Sequence, residues 1–199
     1  MTLGLADQRF HKDQLRPYLT KSRFKHCETV AELSFQMAQH WKYPSPDNAW
    51  LAGLYHDIAK DLDETTLLQK ASQLGIPLTN CEKRSMSTLH ASVGALMVRH
   101  ECGITDRQIL GAIRWHTTGR AKMTLIEKIV YLADIVEAGK KVEHGLLIKR
   151  LAHQDINAAI RLTAKETLKH LLERDKWICP HSWECYNAYS LLKTKRSSY

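Results

Sequence analysis

Apolar residues recur at helical spacing along almost the whole chain, at about 22–42, 46–60, 63–75, 89–101, 105–116, 123–138 and 153–175, with shorter pieces at either end. Breakers separate these segments: Pro44-Ser45-Pro46, Gly75-Ile76-Pro77, Gly103, Gly119 and Gly145. Asp63 before Glu64 and Thr105 before Asp106 carry the short oxygen-bearing side chains that cap a helix N-terminus. Nowhere does a two-residue alternation mark a strand, nothing repeats at roughly 20 to 50 residues, and no low-complexity linker divides the chain. The pattern predicts an all-α fold with one domain over 1–199. Its core lies at about 20–140, and the helices of about 141–199 pack on that core.

The polar residues that interrupt the apolar stripes carry the chemical information. Val30, Leu33, Ser34, Met37 and Trp41 share a face of the first long segment, and His26 joins that face at its first turn. In the next segment Ala52, Tyr55, His56 and Ala59 lie together, with Asp57 one step further round. His90 aligns with Val93, Gly94, Met97 and Val98; His116 follows Ile109 and Ile113; Asp134 lies on the stripe of Ile126, Val130 and Ala133. Singly, a histidine on an apolar face is ordinarily a hydrogen-bonded core residue, and an inward aspartate is a cap or half of an ion pair. Five helices that each aim such a group inward are another matter, because buried polar groups are costly unless they are satisfied together. A metal centre satisfies them at one stroke. Imidazole nitrogens and carboxylate oxygens suit Fe, Mn, Co, Ni or Zn better than Ca or Mg. Six ligands (His26, His56, Asp57, His90, His116 and Asp134) exceed the needs of one ion, so two ions about 3.5–4 Å apart are expected.

Composition narrows the class. With 199 residues, 44% hydrophobic and 25% charged, the chain can bury an ordinary globular core. No apolar run approaches the roughly 18 to 20 residues that span a bilayer, and the opening stretch lacks a signal-peptide core, so a cytoplasmic protein without a membrane partner is expected. The net charge of +8 favours anionic partners. A substrate with several phosphates fits this charge. Nucleic acid is the less favoured partner, because Lys and Arg are spread along the chain rather than gathered; a homodimer stays open. Five scattered cysteines, Cys27, Cys81, Cys102, Cys179 and Cys185, argue against a disulfide framework. The spacing of Cys179, His181 and Cys185 matches no zinc knuckle. Trp115 and Trp177 are assigned to packing rather than to base stacking.

Several strings carry a resemblance: Arg23-Phe24-Lys25-His26; Leu51 to Lys60, with His56-Asp57-Ile58-Ala59-Lys60 at its end; His90-Ala91-Ser92-Val93-Gly94-Ala95; Ala112 to Gly119, with His116-Thr117-Thr118-Gly119; and Glu127 to Asp134, ending Tyr131-Leu132-Ala133-Asp134. The chain resembles the HD-domain superfamily of metal phosphohydrolases and, more closely, the YqeK family of symmetrical diadenosine tetraphosphate hydrolases. The resemblance is strong over about 20–140 and weak beyond. It implies an HD-type helical bundle holding a di-iron or similar centre, with Mn, Co, Ni or Zn as other candidates. It also implies that diadenosine tetraphosphate is cut into two ADP by attack of a hydroxide held on the metal. Carried over by position, the six residues above are the metal ligands, with Asp57 bridging. His56, Asp57 and Lys60 are then the catalytic group, and Lys60, Arg23, His90, Thr117, Gly119 and Lys140 contact the substrate.

Two departures from the family pattern bear on the substrate. Where the family has Glu-Pro-x-Arg, this chain has Glu137-Ala138-Gly139-Lys140-Lys141, a point charge in place of a planar two-pronged one. Where the family has Ile-His-Pro-x-Thr, it has Ile178-Cys179-Pro180-His181-Ser182. Other readings of the same residues are an HD phosphohydrolase acting on a deoxynucleoside triphosphate, a guanosine alarmone or a cyclic dinucleotide, an RNA- or ribosome-associated factor, and a purely structural metal site.

Overall fold

The computed structural model describes residues 4–139 and 143–191, and every regular element among them is helical. The elements are α1 (Leu5–Leu15), a short 3-10 turn (Arg16–Tyr18), α2 (Lys21–His40), α3 (Pro46–Tyr55), α4 (Glu64–Gln73), α5 (Asn80–Arg84), α6 (Met86–Glu101), α7 (Arg107–Trp115), α8 (Leu125–Ala138), α9 (Glu143–Gln154), α10 (Ile156–Leu172) and α11 (Pro180–Ser190). No described helix is long and apolar enough to cross a membrane.

Side-chain caps start most of these helices. The hydroxyl of Thr20 accepts from Arg23 N, and carboxylates of Asp63 and Asp155 do the same for α4 and α10. Thr79 with Glu82 and Thr124 with Glu127 form reciprocal capping boxes on α5 and α8. The expected cap of α7 moves by one residue. Asp106, not Thr105, accepts from Gln108 N and Ile109 N, since its carboxylate reaches two orphan donors at once.

Helices α2, α3, α7 and α8 pack on one another and enclose fully buried Val30, Leu54, Ile58, Ile113, Ile126 and Leu132. Helix α6 lies on α7, with α4 and α5 on α6; α9, α10 and α11 form a C-terminal layer against α8. Burying each such Leu or Ile contributes about 1.5–3 kcal/mol, enough together to offset a small cluster of buried polar groups. The tightest contact is between α2 and α3 at Gly53. A Cβ there would lie 2.7 Å from Ser34 Oγ and 2.9 Å from both Ala31 Cα and Val30 O.

Four expectations are corrected. The helix expected over 46–60 ends at Tyr55, and His56 to Leu62 continue as tight turns closed by Ile58 N→Tyr55 O and Lys60 N→Asp57 O. The cause is His56 itself. Its Nδ1–H donates to Gly53 O at 2.7 Å, the carbonyl that Asp57 N–H would take if the helix went on. Gly145, expected as a stop, lies inside the first turn of α9, a helix absent from the segments expected above; its missing Cβ lets α9 pass against the Gly139 backbone. Cys81 and Cys179 form a disulfide across 98 residues of sequence, which no spacing argument could anticipate. Cys185 is free and buried.

Candidate metal centre

Five helices deliver six residues to one place. His26 comes from the second turn of α2, His56 and Asp57 from the turn that ends α3, His90 from α6, His116 from the residue that ends α7, and Asp134 from α8. The ring of His116 repeats the device of His56. Its Nδ1–H donates to Ile113 O at 2.8 Å, ending α7 and turning Nε2 inward. His26 is fixed by a carboxylate instead, with Nδ1 2.6 Å from Glu137 Oε2. With Nδ1 so engaged, each of these three rings turns Nε2 toward the centre, the nitrogen that a neutral ring would offer to a metal.

The two oxygens of Asp57 divide the cluster. On one side, Asp57 Oδ2 faces His56 Nε2 at 3.4 Å and His26 Nε2 at 3.8 Å. Asp134 Oδ1 closes that group at 3.1 Å from His26 and 3.7 Å from His56, whose ring nitrogens are 3.2 Å apart. On the other side, Asp57 Oδ1 lies 3.2 Å from His90 Nε2 and 3.3 Å from His116 Nε2, themselves 3.2 Å apart. Donor atoms of His26, His56 and Asp134, and of His56, Asp57 and His116, lie within 4.8 Å of one another.

The electrostatics are those of a site built for cations. Burial alone would raise the Asp57 carboxyl, yet His56, His116 and His90 outweigh it and hold it well below the usual carboxylate range. Asp134 behaves alike, with burial overcome by His26 and His56. Burial would lower His56, but Asp57 and Asp134 raise it well above its ordinary value. His90 is pulled down to about 4, by burial first, with Asp57 opposing and the neighbouring His116 and Lys60 adding to the fall. Asp57 Oδ1 is buried and accepts no hydrogen bond. A buried carboxylate oxygen among converging imidazole nitrogens is costly unless a proton or a metal ion sits between them. The donors, imidazole nitrogen and carboxylate oxygen, suit divalent transition ions, so the residues fit the expected group.

The other expected residues fall in and around this cluster. Arg23 Nη1 bonds Asp57 Oδ2 at 2.9 Å, and its Nε is 4.0 Å from Asp61 Oδ1. Arg23, Thr20, Lys25, His26, Asp61 and Glu137 line a cleft of about 450 Å³ at the outer face of the cluster. Lys60 Nζ is 3.4 Å from His90 Nε2. Thr117 Oγ1 is 3.1 Å from His116 Nε2 and 3.4 Å from His90 Nε2. Gly119, at φ +62, is buried, and a Cβ there would lie 2.7 Å from Cys185 Sγ of α11. Lys140 lies outside the described residues. Trp115 is half-buried, with the guanidinium groups of Arg114 and Arg120 over its ring and His181 edge-on.

Sequence reasoning gave no role to Glu137 or Asp61. Glu137 is three residues after Asp134 on α8 and so shares its face, a signal that was present. Asp61 accepts from Thr20 N at 2.8 Å while facing Arg23, a contact between segments that no periodicity reveals.

Residues 23–139 match the model of the HD domain family. The chain belongs to the HD-domain family. The matched span holds all six inward residues together with Arg23, Lys60 and Thr117. Over 177 residues the chain is 36% identical to "Bis(5'-nucleosyl)-tetraphosphatase, symmetrical" of Halalkalibacterium halodurans, covering 87% of this chain and 91% of that one. It is 31% identical over 173 residues to the Bacillus subtilis protein of the same name, covering 87% and 92%. Among solved structures, a "predicted HD superfamily hydrolase involved in NAD metabolism" from Clostridium acetobutylicum superposes with a TM-score of 0.87 at 27% identity, covering 96% of this chain and 98% of that one. The HD-family likeness therefore extends through the C-terminal layer of α9 to α11, beyond the segment that the family model matches.

Proposed function

We propose that this HD-domain hydrolase cuts diadenosine tetraphosphate symmetrically into two ADP at a dinuclear metal centre held by His26, His56, Asp57, His90, His116 and Asp134. The observation that carries the reading is the division of Asp57, one oxygen toward the His26–His56–Asp134 group and the other toward the His90–His116 pair. The two relatives named above bear the name of a symmetrical tetraphosphatase, which supports the choice of substrate.

Bound divalent transition ions, with iron favoured over Mn, Co, Ni or Zn, supply Lewis acidity to a phosphoryl oxygen and acidify water into the range of about pH 7. The chain's own residues do the rest. Asp57 fixes the spacing of the two positions, and the hydrogen bonds to Gly53 O, Ile113 O and Glu137 hold the ring nitrogens in aim without further reorganisation. Arg23, at the lip of the cleft, presents a fork that fits phosphate oxygens once ions take over its charge at Asp57. Lys60 and the Thr117 hydroxyl stand beside the inward nitrogens of His90 and His116 and would spread the charge of the polyphosphate. Water adds to one inner phosphorus, the central P–O–P bridge breaks, and ADP departs with the bridging oxygen. This reading sets the enzyme in the cytoplasm, where its nucleotide substrate lies.

The test is a product assay. ADP as the sole product from diadenosine tetraphosphate is expected, and AMP together with ATP would overturn the symmetrical cut. A panel of deoxynucleoside triphosphates, guanosine tetraphosphate and cyclic dinucleotides should turn over far more slowly.

A further inference from the structure

The two halves of the metal centre have unlike surroundings. The His26–His56 half is served by three carboxylates: Asp57 Oδ2, Asp134 Oδ1, and Glu137, whose Oε2 lies 2.6 Å from His26 Nδ1. Its inward ring nitrogens face carboxylate oxygens and each other, and neither Lys60 nor Thr117 bonds to them. Arg23 Nη1 also meets this half, 2.9 Å from Asp57 Oδ2, so that one guanidinium there stands against three carboxylates. The His90–His116 half has one carboxylate oxygen, Asp57 Oδ1. There a cation of the protein is already at hand. Lys60 Nζ lies 3.4 Å from His90 Nε2, and the Thr117 hydroxyl lies 3.1 Å from His116 Nε2.

We propose that the two positions fill in order, Glu137 making the His26–His56–Asp57–Asp134 position the tight one and Lys60 serving as an internal counter-cation that a second ion must displace from the His90–His116 position. The inference rests on the dinuclear reading above and adds an order to it. A carboxylate behind a ligating imidazole fixes the ring and raises its basicity, and loss of such a partner typically weakens metal binding about 10–100-fold. At the other half, a +1 charge within reach of a +2 ion opposes it at any effective dielectric, so removing the ammonium should strengthen binding about tenfold or more. Lysine suits this part because its charge is compact and its stem flexible, so the ammonium can leave the ring nitrogen without disturbing the fold. Once displaced, Lys60 is free for a phosphate oxygen, which ties entry of the second ion to entry of the polyphosphate.

The test uses the full chain, stripped with a chelator and titrated with Mn²⁺, read by calorimetry and by electron paramagnetic resonance. The wild type should bind one ion with an isolated Mn²⁺ signal, then a second at least about tenfold more weakly, with loss of that signal as the spins couple. Glu137→Gln should weaken the first step about 10–100-fold, and Lys60→Met should strengthen only the second. Two indistinguishable steps, or a second step that Lys60→Met leaves unchanged or weakens, would overturn the ordering while leaving the dinuclear reading intact. Failure of the wild type to bind Mn²⁺ stoichiometrically would remove both.

Discussion

Replacing Gly53 by alanine tests whether the close approach of α2 and α3 sets the geometry of the His–Asp cluster. An added Cβ would meet Ser34 Oγ at 2.7 Å, Ala31 Cα at 2.9 Å and Val30 O at 2.9 Å, where relaxed contacts lie near 3.5–4.0 Å. Two of the three neighbours are backbone, so no rotamer change relieves them, and the helices must part by several tenths of an ångström. Overpacking of this kind costs about 3 kcal/mol, set against about 1 kcal/mol gained when alanine replaces glycine in a helix. The balance is a loss of about 2 kcal/mol, which lowers Tm by about 4–8 °C in a chain of this size. The same parting separates His26 on α2 from His56 at the end of α3, whose ring nitrogens are 3.2 Å apart. Thermal unfolding of stripped and metal-loaded Gly53→Ala should therefore show a lower Tm and a smaller gain on loading than in the wild type. A Tm equal to or above that of the wild type would mean that helix propensity outweighs the contact, and would refute the reasoning. Ser34→Ala provides the control. Its Oγ is buried without a partner, so losing it should leave Tm unchanged or raise it, and should rescue Gly53→Ala only in part.

Asp57→Asn keeps the shape of the residue but removes the charge shared by both positions, and elemental analysis should find the ions lost and ADP production abolished; normal activity would overturn the site assignment. Because Asp57 and Asp134 raise His56 well above its ordinary 6.5, the stripped protein carries a proton there at neutral pH. That contribution to stability is complete below 6.5 and is lost as pH rises through the raised value, so the Tm of stripped protein should fall toward alkaline pH. Metal must expel the same proton, so its apparent affinity should climb by about tenfold per pH unit over that window. Denatured but unreduced protein should yield the three thiols of Cys27, Cys102 and Cys185, and all five after reduction; five at the outset would show that Cys81 and Cys179 stay apart.

The centre was legible because its residues sit on faces that the 3.6-residue period defines. His26 with Val30, His90 with Val93 and Asp134 with Val130 need no knowledge of the partner helices to be seen as inward. Family strings then indicated the substrate. What stayed hidden depends on contacts between distant segments. Cys81 meets Cys179, Asp61 meets Thr20, and α9 meets Gly139, and none of these pairs shares an element whose period could betray it. Gly145 misled for the same reason: a glycine that ends a helix and a glycine that lets two backbones touch look alike in one dimension.

The overextended helix at 46–60 is a different kind of error, and it bears on function. Helical periodicity assumes that each backbone carbonyl waits for the amide four residues on. At Gly53 and at Ile113 that amide is forestalled by an imidazole three residues on, and the helix stops at the ring. The bond that stops the helix also pins Nδ1 outward, and Nε2 is thereby aimed at Asp57. A solvated histidine at a helix end would be free to turn. These two are not, because their carbonyl partners belong to the rigid last turns of α3 and α7 and their rings are buried. The misplaced helix end and the oriented ring therefore have one physical cause, a side chain that outcompetes the backbone for its own acceptor.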